Sequence, residues 1–272
     1  LLCATVFYAV QIYCDFSGYM DIVIGVSELF GIKIAENFNK PYFSKSIAEY
    51  WRRWHITLGT WFKDYLYYSV IRSEFCRRIG KKFGKGRLKD IGRTVPTVIG
   101  LLVVWFMTGL WHGASWHYVA HGLYHGGIII LSVLLAPVYK KVRIRMHIED
   151  ASRPYHVLQM LRTFILVDIS YILFRSATME DAGYIMNRIF FHLQISFGAL
   201  KEAVLPFTED NTAVAYFGVV AAAMALLFIS EVLDYNHKQI LKKHRYINAA
   251  LMILAVLLFG VFGQSGFIYA AY

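Results

Sequence analysis

A long apolar stretch that carries four histidines constrains the fold of this chain more than any other feature. Apolar residues extend over 95–136, and the segment 107–127 within it reads MTGLWHGASWHYVAHGLYHGG. Its four imidazoles belong to His112, His117, His121 and His125. An ionisable side chain at the centre of a bilayer costs about 2.5–3.5 kcal/mol or more unless it has a partner. The stretch therefore predicts a membrane-spanning hairpin that contains a functional site.

The composition favours a membrane protein over a soluble one. Of the 272 residues, 57% are hydrophobic, 17% are aromatic and only 17% are charged, and the mean hydropathy is +0.46. Soluble domains ordinarily carry about 25% charged residues, whereas Trp and Tyr collect at membrane interfaces. We predict an all-α fold, a polytopic integral membrane helical bundle with interfacial and re-entrant helices.

The formal net charge of +10 narrows the range of partners. In a membrane protein such an excess is typical of cytoplasmic loops that contact anionic lipid headgroups. We therefore expect membrane lipid as a partner and no nucleic acid. The three cysteines are odd in number and lack metal-ligand spacing, so neither a disulfide framework nor a metal site is expected. They are Cys3, Cys14 and Cys76.

Five segments are long and apolar enough to cross a bilayer with ~17–25 residues each. We place them at about 95–111, 117–137, 158–175, 212–233 and 247–263. Upstream, the apolar run 1–13 precedes a second run interrupted by Asp15, Asp21 and Glu28, which favours a helix end followed by an interfacial or re-entrant helix. The chain starts without Met inside an apolar run, so we expect an N-terminal truncation. All of 1–272 is expected to form a single membrane domain.

The distribution of Lys and Arg predicts the orientation in the membrane. The basic connections are 72–93, 138–157 and 234–246, and the positive-inside rule assigns them to the cytoplasm. The connection 176–211 is acidic on balance, which suits the opposite side. The number of crossings between the basic connections is then even each time, so the assignment is self-consistent. The HGAS turn at 112–115 consequently faces away from the cytoplasm or ends part-way through the bilayer.

A Trp-rich segment precedes the first basic connection. Its aromatic and apolar side chains recur at helical spacing, namely Trp51, His55, Leu58 and Phe62. Glu49 can pair with Arg52 or Arg53 at the i+3 or i+4 position. Trp on one side and Arg on the other predict a single interfacial helix half sunk in the headgroups.

The histidine-rich hairpin has the pattern of a buried reaction centre. One helix face carries three imidazoles at i, i+4 and i+8, namely His117, His121 and His125. Small residues that let helices approach closely form two pairs, Gly109 with Gly113 and Gly122 with Gly126. His112 lies in the turn before this helix. Since the unperturbed pKa of imidazole is about 6.5, a neutral histidine here can act as a general base on a hydroxyl.

Other interpretations of these histidines stay open from the residues alone. His117 and His121 can be solvated side chains near the interface. A transition metal could use the histidine ladder, although no carboxylate or cysteine lies close by in the sequence. A b-type haem could use His112 and His125, thirteen residues apart. A transporter is a further alternative, and it would show discontinuous helices in matching halves of the chain.

Three ordered motifs carry a resemblance to a known family. They are IYCDFSGYMDIVIGV at 12–26, ENFNKPYFSKSIAEYWRRWHITLGTWFKDYLY at 36–67 and GLWHGASWHYVAHGLYHG at 109–126. Together with the closing FGQSGFIYAAY, they resemble the membrane-bound O-acyltransferase (MBOAT) family, in the branch that acylates alginate and teichoic acids. The chain departs from that branch at YSVIRSEF, where a Pro-Leu-Gly-Gly-Asn-Arg-like turn is usual.

The resemblance implies a fold, a reaction and two catalytic residues. The family fold is a helical bundle with a tunnel in which a cytoplasmic donor meets an extracytoplasmic acceptor at a histidine. The histidine of the WHG motif corresponds to His112 and that of RWH to His55. The implied reaction moves an acyl group, acetyl in the first place, from a thioester such as acetyl-CoA or acyl-carrier protein to a hydroxyl of a cell-surface polysaccharide. Transfer of D-alanyl to teichoic acids is the alternative.

Further expectations concern substrate contacts, partners and location. We predict substrate-binding roles for six side chains near the two histidines, namely Trp51, Arg52, Arg53, Asp64, Trp111 and His125. No bound cofactor is expected, and the acyl thioester is a substrate. The expected protein partner is an extracytoplasmic acetylation protein or a cytoplasmic acyl carrier protein. The expected location is the inner membrane of a bacterium, with several crossings.

Overall fold

The computed structural model describes residues 1–83, 89–147, 149, 152–193, 196, 198, 211–236, 250 and 253–254. Within these ranges the secondary structure is helical, without a strand, and an isolated bridge joins Phe38 to Trp54. The predicted all-α fold is confirmed. A first compact unit spans Leu1–Phe191, and a second spans His192–Ala271. The single domain expected over 1–272 stays a prediction.

Ten α-helices of the described residues belong to the first unit. They are α1 (Leu2–Leu29), α2 (Ile47–Arg53), α3 (Ile56–Trp61), α4 (Tyr68–Arg72), α5 (Glu74–Phe83), α6 (Lys89–His112), α7 (Trp116–Leu134), α8 (Ala136–Arg145), α9 (Arg153–Arg175) and α10 (Met179–Phe191). A 3₁₀ turn at Pro41–Phe43 precedes α2, and a π-helical turn at Phe62–Tyr67 separates α3 from α4. The second unit contributes α11 (Asn211–Tyr235).

Three of the described helices are long and apolar enough to cross a membrane. Their spans are Thr94–His112, Arg153–Arg175 and Gly218–Tyr235. They agree with the crossings predicted at about 95–111, 158–175 and 212–233, and they support the predicted membrane protein. The crossing predicted at 247–263 lies outside the described residues, apart from single positions.

The crossing predicted at 117–137 is bent rather than straight. Helix α7 ends at Leu134, and α8 leaves it at an angle of 60°. Pro137 lies in the first turn of α8, where its missing N–H costs nothing, whereas in a continuous helix it would remove a hydrogen bond. This pair of helices counts as a fourth span if the two halves cross together.

The prediction of a break near residue 14 is wrong, because α1 is continuous from Leu2 to Leu29. The segment contains no proline, and a helix satisfies its own backbone groups whether its side chains are apolar or acidic. The buried side chains of α1 follow one face, namely Tyr8, Ala9, Ile12, Tyr13 and Phe16. This face packs against α9 and the loop before α2.

The prediction of one continuous helix through the Trp-rich segment is also wrong, whereas its interfacial position stays a prediction. Helix α2 ends at Arg53, and His55 has a φ of +45°, so α3 begins only at Ile56. The chain breaks here because the loop before α2 takes over two backbone bonds: Asn39 N–H donates to Arg53 C=O at 2.9 Å, and Ile56 N–H donates to Asn37 C=O at 3.1 Å. The predicted i+4 ion pair is confirmed, with Arg53 Nη2 2.8 Å from Glu49 Oε1.

The basic connection predicted at 72–93 is largely helical among its described residues. Helix α5 occupies Glu74–Phe83, and α6 begins at Lys89 rather than near Val95. The segment YSVIRSEF at 68–75 forms α4 and the start of α5. Lys and Arg are good helix formers, so a basic segment can be helical without changing its side of the membrane.

Backbone contact between α6 and α7 confirms the close approach predicted from the glycines. A Cβ atom at Gly122 would lie 2.3 Å from Trp105 O and 2.9 Å from Gly109 N. At Gly126 it would lie 2.6 Å from the Cβ of Trp105. Only glycine leaves room for helices at this distance. The hairpin that carries the histidines is therefore tightly packed along its length.

Candidate active site

His112 ends α6 and points into the interior of the first unit. It is the last residue of the helix rather than a turn residue. Its ring centroid lies 4.9 Å from that of Phe174 on α9 and 4.8 Å from that of Trp111. The ring centroid of His121 lies 6.1 Å from that of His112, and the two ring planes are at 89° to each other. Three helices therefore fix the surroundings of His112.

The glycine after His112 turns the chain from α6 into α7. Gly113 has a φ of +156°, a conformation that side chains with a Cβ rarely adopt. A Cβ at this position would also lie 2.8 Å from two ring atoms of Tyr118. The Trp-His-Gly order thus places an imidazole at the end of one helix with the next helix packed directly over the turn.

His55 approaches the same place from the break between α2 and α3. Its Nδ1 lies 3.1 Å from Asn37 Oδ1, which also accepts from Thr57 N–H at 3.1 Å and from Thr57 Oγ1 at 2.7 Å. Because an amide oxygen only accepts, the proton of the neutral His55 ring is on Nδ1, and Nε2 carries a lone pair. Burial lowers the pKa of His55 to about 4, so the ring is neutral at physiological pH.

Trp111 contacts both of the predicted catalytic histidines. Its ring centroid is 5.9 Å from that of His55 and 4.8 Å from that of His112. The structure therefore brings together two residues that are far apart in the sequence, and their catalytic roles stay predictions. Trp111 itself is 49% exposed, so this cluster is open to its surroundings on one side.

A cavity of about 460 Å³ opens beside His55. Its wall is mainly apolar and comes from α2, α3, the π-helical turn, α6 and α7, with Trp51 and Trp105 among the lining residues. Two cationic side chains, Arg52 and Lys63, also line it. A pocket of this size and composition can hold the arm of a small organic substrate with an anionic end.

The six predicted substrate-binding side chains divide into two groups. Trp51 and Arg52 line the cavity, and Trp111 lies against both histidines. The other three are held by protein groups: Arg53 by Glu49 and the carbonyl of Asn39, Asp64 by Lys63 at 3.8 Å, and His125 by Ser170 at 2.9 Å. Their roles in substrate binding stay predictions.

The interpretation of His117 and His121 as solvated side chains is wrong. The exposed fractions of His117, His121 and His125 are 6%, 3% and 0%. Helix α7 is covered on this face by α9 and α6, and the glycines that permit the close contact are on the same helix. The glycine spacing in the sequence therefore indicated that this face is buried, although imidazole side chains are polar.

Polar residues of α9 complete the interior and were missed from the sequence. Ser170 bonds to two imidazoles, and the hydroxyl of Tyr171 lies 2.7 Å from that of Tyr50 and 3.3 Å from that of Tyr42. Thr5 Oγ1 donates to Asp168 Oδ2 at 2.7 Å, which ties α1 to α9. The available signal was the presence of Asp and Ser inside an apolar span, where polar groups are costly unless paired. Among the described residues, no three His, Cys, Asp or Glu side chains are grouped to hold a metal ion.

Comparison with known proteins identifies relatives whose sequences are similar to this chain. The chain is 32% identical over 214 residues to a probable alginate O-acetylase AlgI of Azotobacter vinelandii, covering 79% of this chain and 37% of the relative. It is 35% identical over 180 residues to a peptidoglycan O-acetyltransferase of Helicobacter pylori, covering 64% and 28%. It is 39% identical over 118 residues to a teichoic acid D-alanyltransferase of Bacillus subtilis, covering 43% and 27%. The chain therefore spans less than two fifths of the length of these relatives.

A family model gives the same assignment. The membrane-bound O-acyltransferase family model matches residues 1–83, which include the RWH motif, and the resemblance of the three motifs is confirmed. The match, the similar relatives and the helical architecture agree with one another, and all of them point to the membrane-bound O-acyltransferase family.

Proposed function

We propose that this chain forms the reaction centre of a membrane O-acyltransferase that acts on a polysaccharide or related polymer of the cell envelope. The relatives support this class, since their names specify transfer to alginate, peptidoglycan or teichoic acid. The observation that carries the proposal is that His112 and His55 both lie against Trp111, and that His55 also lines a cavity. The acyl group is acetyl in the first place, because acetylase relatives cover 79% of the chain and the D-alanyl relative 43%.

His112 acts as the general base in the proposed reaction. A neutral ring nitrogen accepts the proton of the acceptor hydroxyl while the hydroxyl oxygen attacks the thioester carbonyl. The C–S bond then breaks, and the departing thiolate takes the proton from the imidazolium of His112. Oxygen gains the acyl group, sulfur gains the proton, and His112 returns to its starting state. A positioned base of this kind contributes roughly 10²–10⁴-fold to the rate.

His55 contributes a hydrogen-bond acceptor rather than a charge. Asn37 fixes its Nδ1 proton, so the Nε2 lone pair is the group available to a substrate. It can accept from the acceptor hydroxyl or from an amide of the donor, and in either case it orients the reacting atoms for His112. A neutral, donor-poor His55 does not suit the stabilisation of an oxyanion.

The cavity beside His55 receives the thioester arm. Its aromatic wall suits an apolar chain, and Arg52 and Lys63 suit a phosphate at the other end of the donor. Acetyl-CoA and acyl-carrier protein both present a thiol on a phosphate-bearing arm. These features support one of the two as the donor substrate, and we expect no bound cofactor in the reaction.

The charge distribution supports a topology in which donor and acceptor reach the site from opposite sides. Helices α6 and α9 start near basic segments and end together, with Phe174 4.9 Å from His112. We propose an inner-membrane, multi-pass protein of a bacterium with α5 in the cytoplasm and an extracytoplasmic acetylation partner near the turn at 113–115. A cysteine at Lys81 in a cysteine-free background should resist an impermeant thiol reagent in intact cells, whereas one at Ala114 should react. The reverse pattern would contradict this topology.

Transfer of radiolabelled acetyl to envelope polymer tests the function. Membranes that contain the intact protein are supplied with labelled acetyl-CoA or acetyl-carrier protein, and labelled D-alanyl carrier serves as the competing donor. His112→Ala should lower transfer by ~10²-fold or more at unchanged expression and thermal stability. His192→Ala, at an exposed histidine, is the matched control and should retain full transfer. Retention of more than about a tenth of the transfer by His112→Ala would remove His112 as the base.

A further inference from the structure

Ser170 of α9 holds two buried histidines of α7 at once. Its carbonyl oxygen lies 3.0 Å from His121 Nδ1, and its Oγ lies 2.9 Å from His125 Nε2. The Ser170 hydroxyl also bonds to the carbonyl of Val167 at 2.6 Å. Ser170 and His125 are fully buried, and His121 is 3% exposed. The three residues form an ordered group directly behind His112.

These bonds determine which nitrogen of each ring carries the proton. A carbonyl oxygen only accepts, so the Nδ1–H of His121 is the donor and Nε2 of the neutral ring has the lone pair. The single hydrogen of the Ser170 hydroxyl goes to Val167, so His125 donates its Nε2–H to Ser170. The two histidines therefore have opposite tautomers, although they are one helical turn apart on the same face.

His121 is the ring of this group that faces His112. The two imidazoles are 6.1 Å apart and nearly perpendicular, and Phe174 packs against both at 4.9 Å and 5.1 Å. Among the described residues no group hydrogen-bonds to a ring nitrogen of His112. Catalytic hydrogen bonds are often long before substrate binds, and one water can bridge such a gap.

We propose that His121 is a positioning residue for His112. Its Nε2 accepts the N–H of His112, directly or through one water, and so leaves the other His112 nitrogen unprotonated toward the acceptor hydroxyl. Ser170 keeps the lone pair of His121 in place through the opposite nitrogen, as the third group does for an oriented base. The proton taken from the acceptor stays on His112 until the thiolate removes it, so His121 gains no net proton. This inference rests on the proposed function.

Two substitutions by amide residues separate the bond of His121 to Ser170 from the proposed acceptor role of His121 Nε2. In His121→Asn the amide nitrogen occupies the place of Nδ1 and keeps the bond to Ser170, but nothing replaces the Nε2 lone pair. In His121→Gln the amide oxygen reaches the place of Nε2, whereas the bond to Ser170 is lost. We expect His121→Asn to keep the wild-type melting temperature with kcat lowered about 10-fold or more and KM unchanged. His121→Gln should recover part of kcat despite lower stability.

His117→Asn is the matched control, because His117 is buried on the same face one turn earlier. It should leave kcat unchanged. Nitrogen NMR of the intact protein with labelled histidines reports tautomers without turnover, so it separates this inference from the function itself. We expect the Nδ1–H tautomer for His121, and a change at His112 in His121→Asn but not in His117→Asn. A wild-type kcat together with unchanged His112 signals in His121→Asn would overturn the inference.

Discussion

The two sides of the proposed reaction centre are built by different physical means. His112 is positioned by helices in backbone contact. At Gly122 and Gly109, α6 and α7 lie so close together that a Cβ atom would overlap the backbone of the facing helix. His55 is positioned by a helix break, a left-handed residue and the amide of Asn37, which receives three hydrogen bonds. The His112 side therefore depends on glycines that lack a Cβ, and the His55 side depends on the hydrogen bonds of one amide.

This difference determines which substitutions each side tolerates. The helical hairpin should resist loss of an individual hydrogen bond but not the addition of a carbon atom. The loop side should tolerate added volume at exposed positions but not the loss of the amide that orders it. Packed interiors respond to single methylene groups, and an unsatisfied buried donor costs about 1–3 kcal/mol.

Gly122→Ala should have the largest effect on stability. The added Cβ would meet the backbone of Trp105 and Gly109, which cannot rotate away as a side chain can. Overpacking typically costs about 1–3 kcal/mol, and we expect at least the upper end of that range here. Thermal unfolding in detergent, followed by tryptophan fluorescence, measures the loss.

Gly127→Ala is the control on the same helix, because a Cβ atom at Gly127 would lie in open space, more than 4 Å from any other helix. Alanine is the better helix former by about 1 kcal/mol, so this variant should be as stable as the wild type or more stable. Equal stability of the two alanine variants would show that α6 and α7 do not depend on backbone contact at Gly122.

Asn37→Ala should have an intermediate effect and act on both stability and turnover. It leaves the donors of Thr57 and His55 without their acceptor, which costs about 1–3 kcal/mol. The His55 ring is then free to rotate, and acyl transfer should fall by about 10-fold. Asn39→Ala removes an exposed amide from the same loop and should change neither the melting temperature nor the transfer rate.

Much of the hairpin could be predicted from the sequence, and little of the loop side could. Apolar length and charge identified the crossings near 94–112 and 153–175, and the glycine spacing identified the close helix pair. Periodicity alone extended α2 through His55, because the competing bonds come from Asn37 and Asn39, which no local pattern connects to Arg53 or Ile56. Ser170 was missed for a related reason, since a lone serine gives no indication of which helix it will face.

The smallest predicted effect concerns the protonation of His55, on which the sequence pattern gave no information. The pKa of His55 is about 4 in the folded protein because burial disfavours its charged form, against about 6.5 when exposed. Below pH ~6.5 the unfolded chain therefore binds more protons at this residue, and its contribution to stability is lost as the pH falls toward 4. His55→Asn keeps a donor for Asn37 but does not titrate, so its melting temperature should decrease less between pH 7 and pH 5 than that of the wild type. The buried histidines of α7 are present in both proteins and cancel in the difference. Parallel decreases in the two melting curves would mean that His55 is solvated when the protein is folded, and the loop side would then not be a buried half of the site.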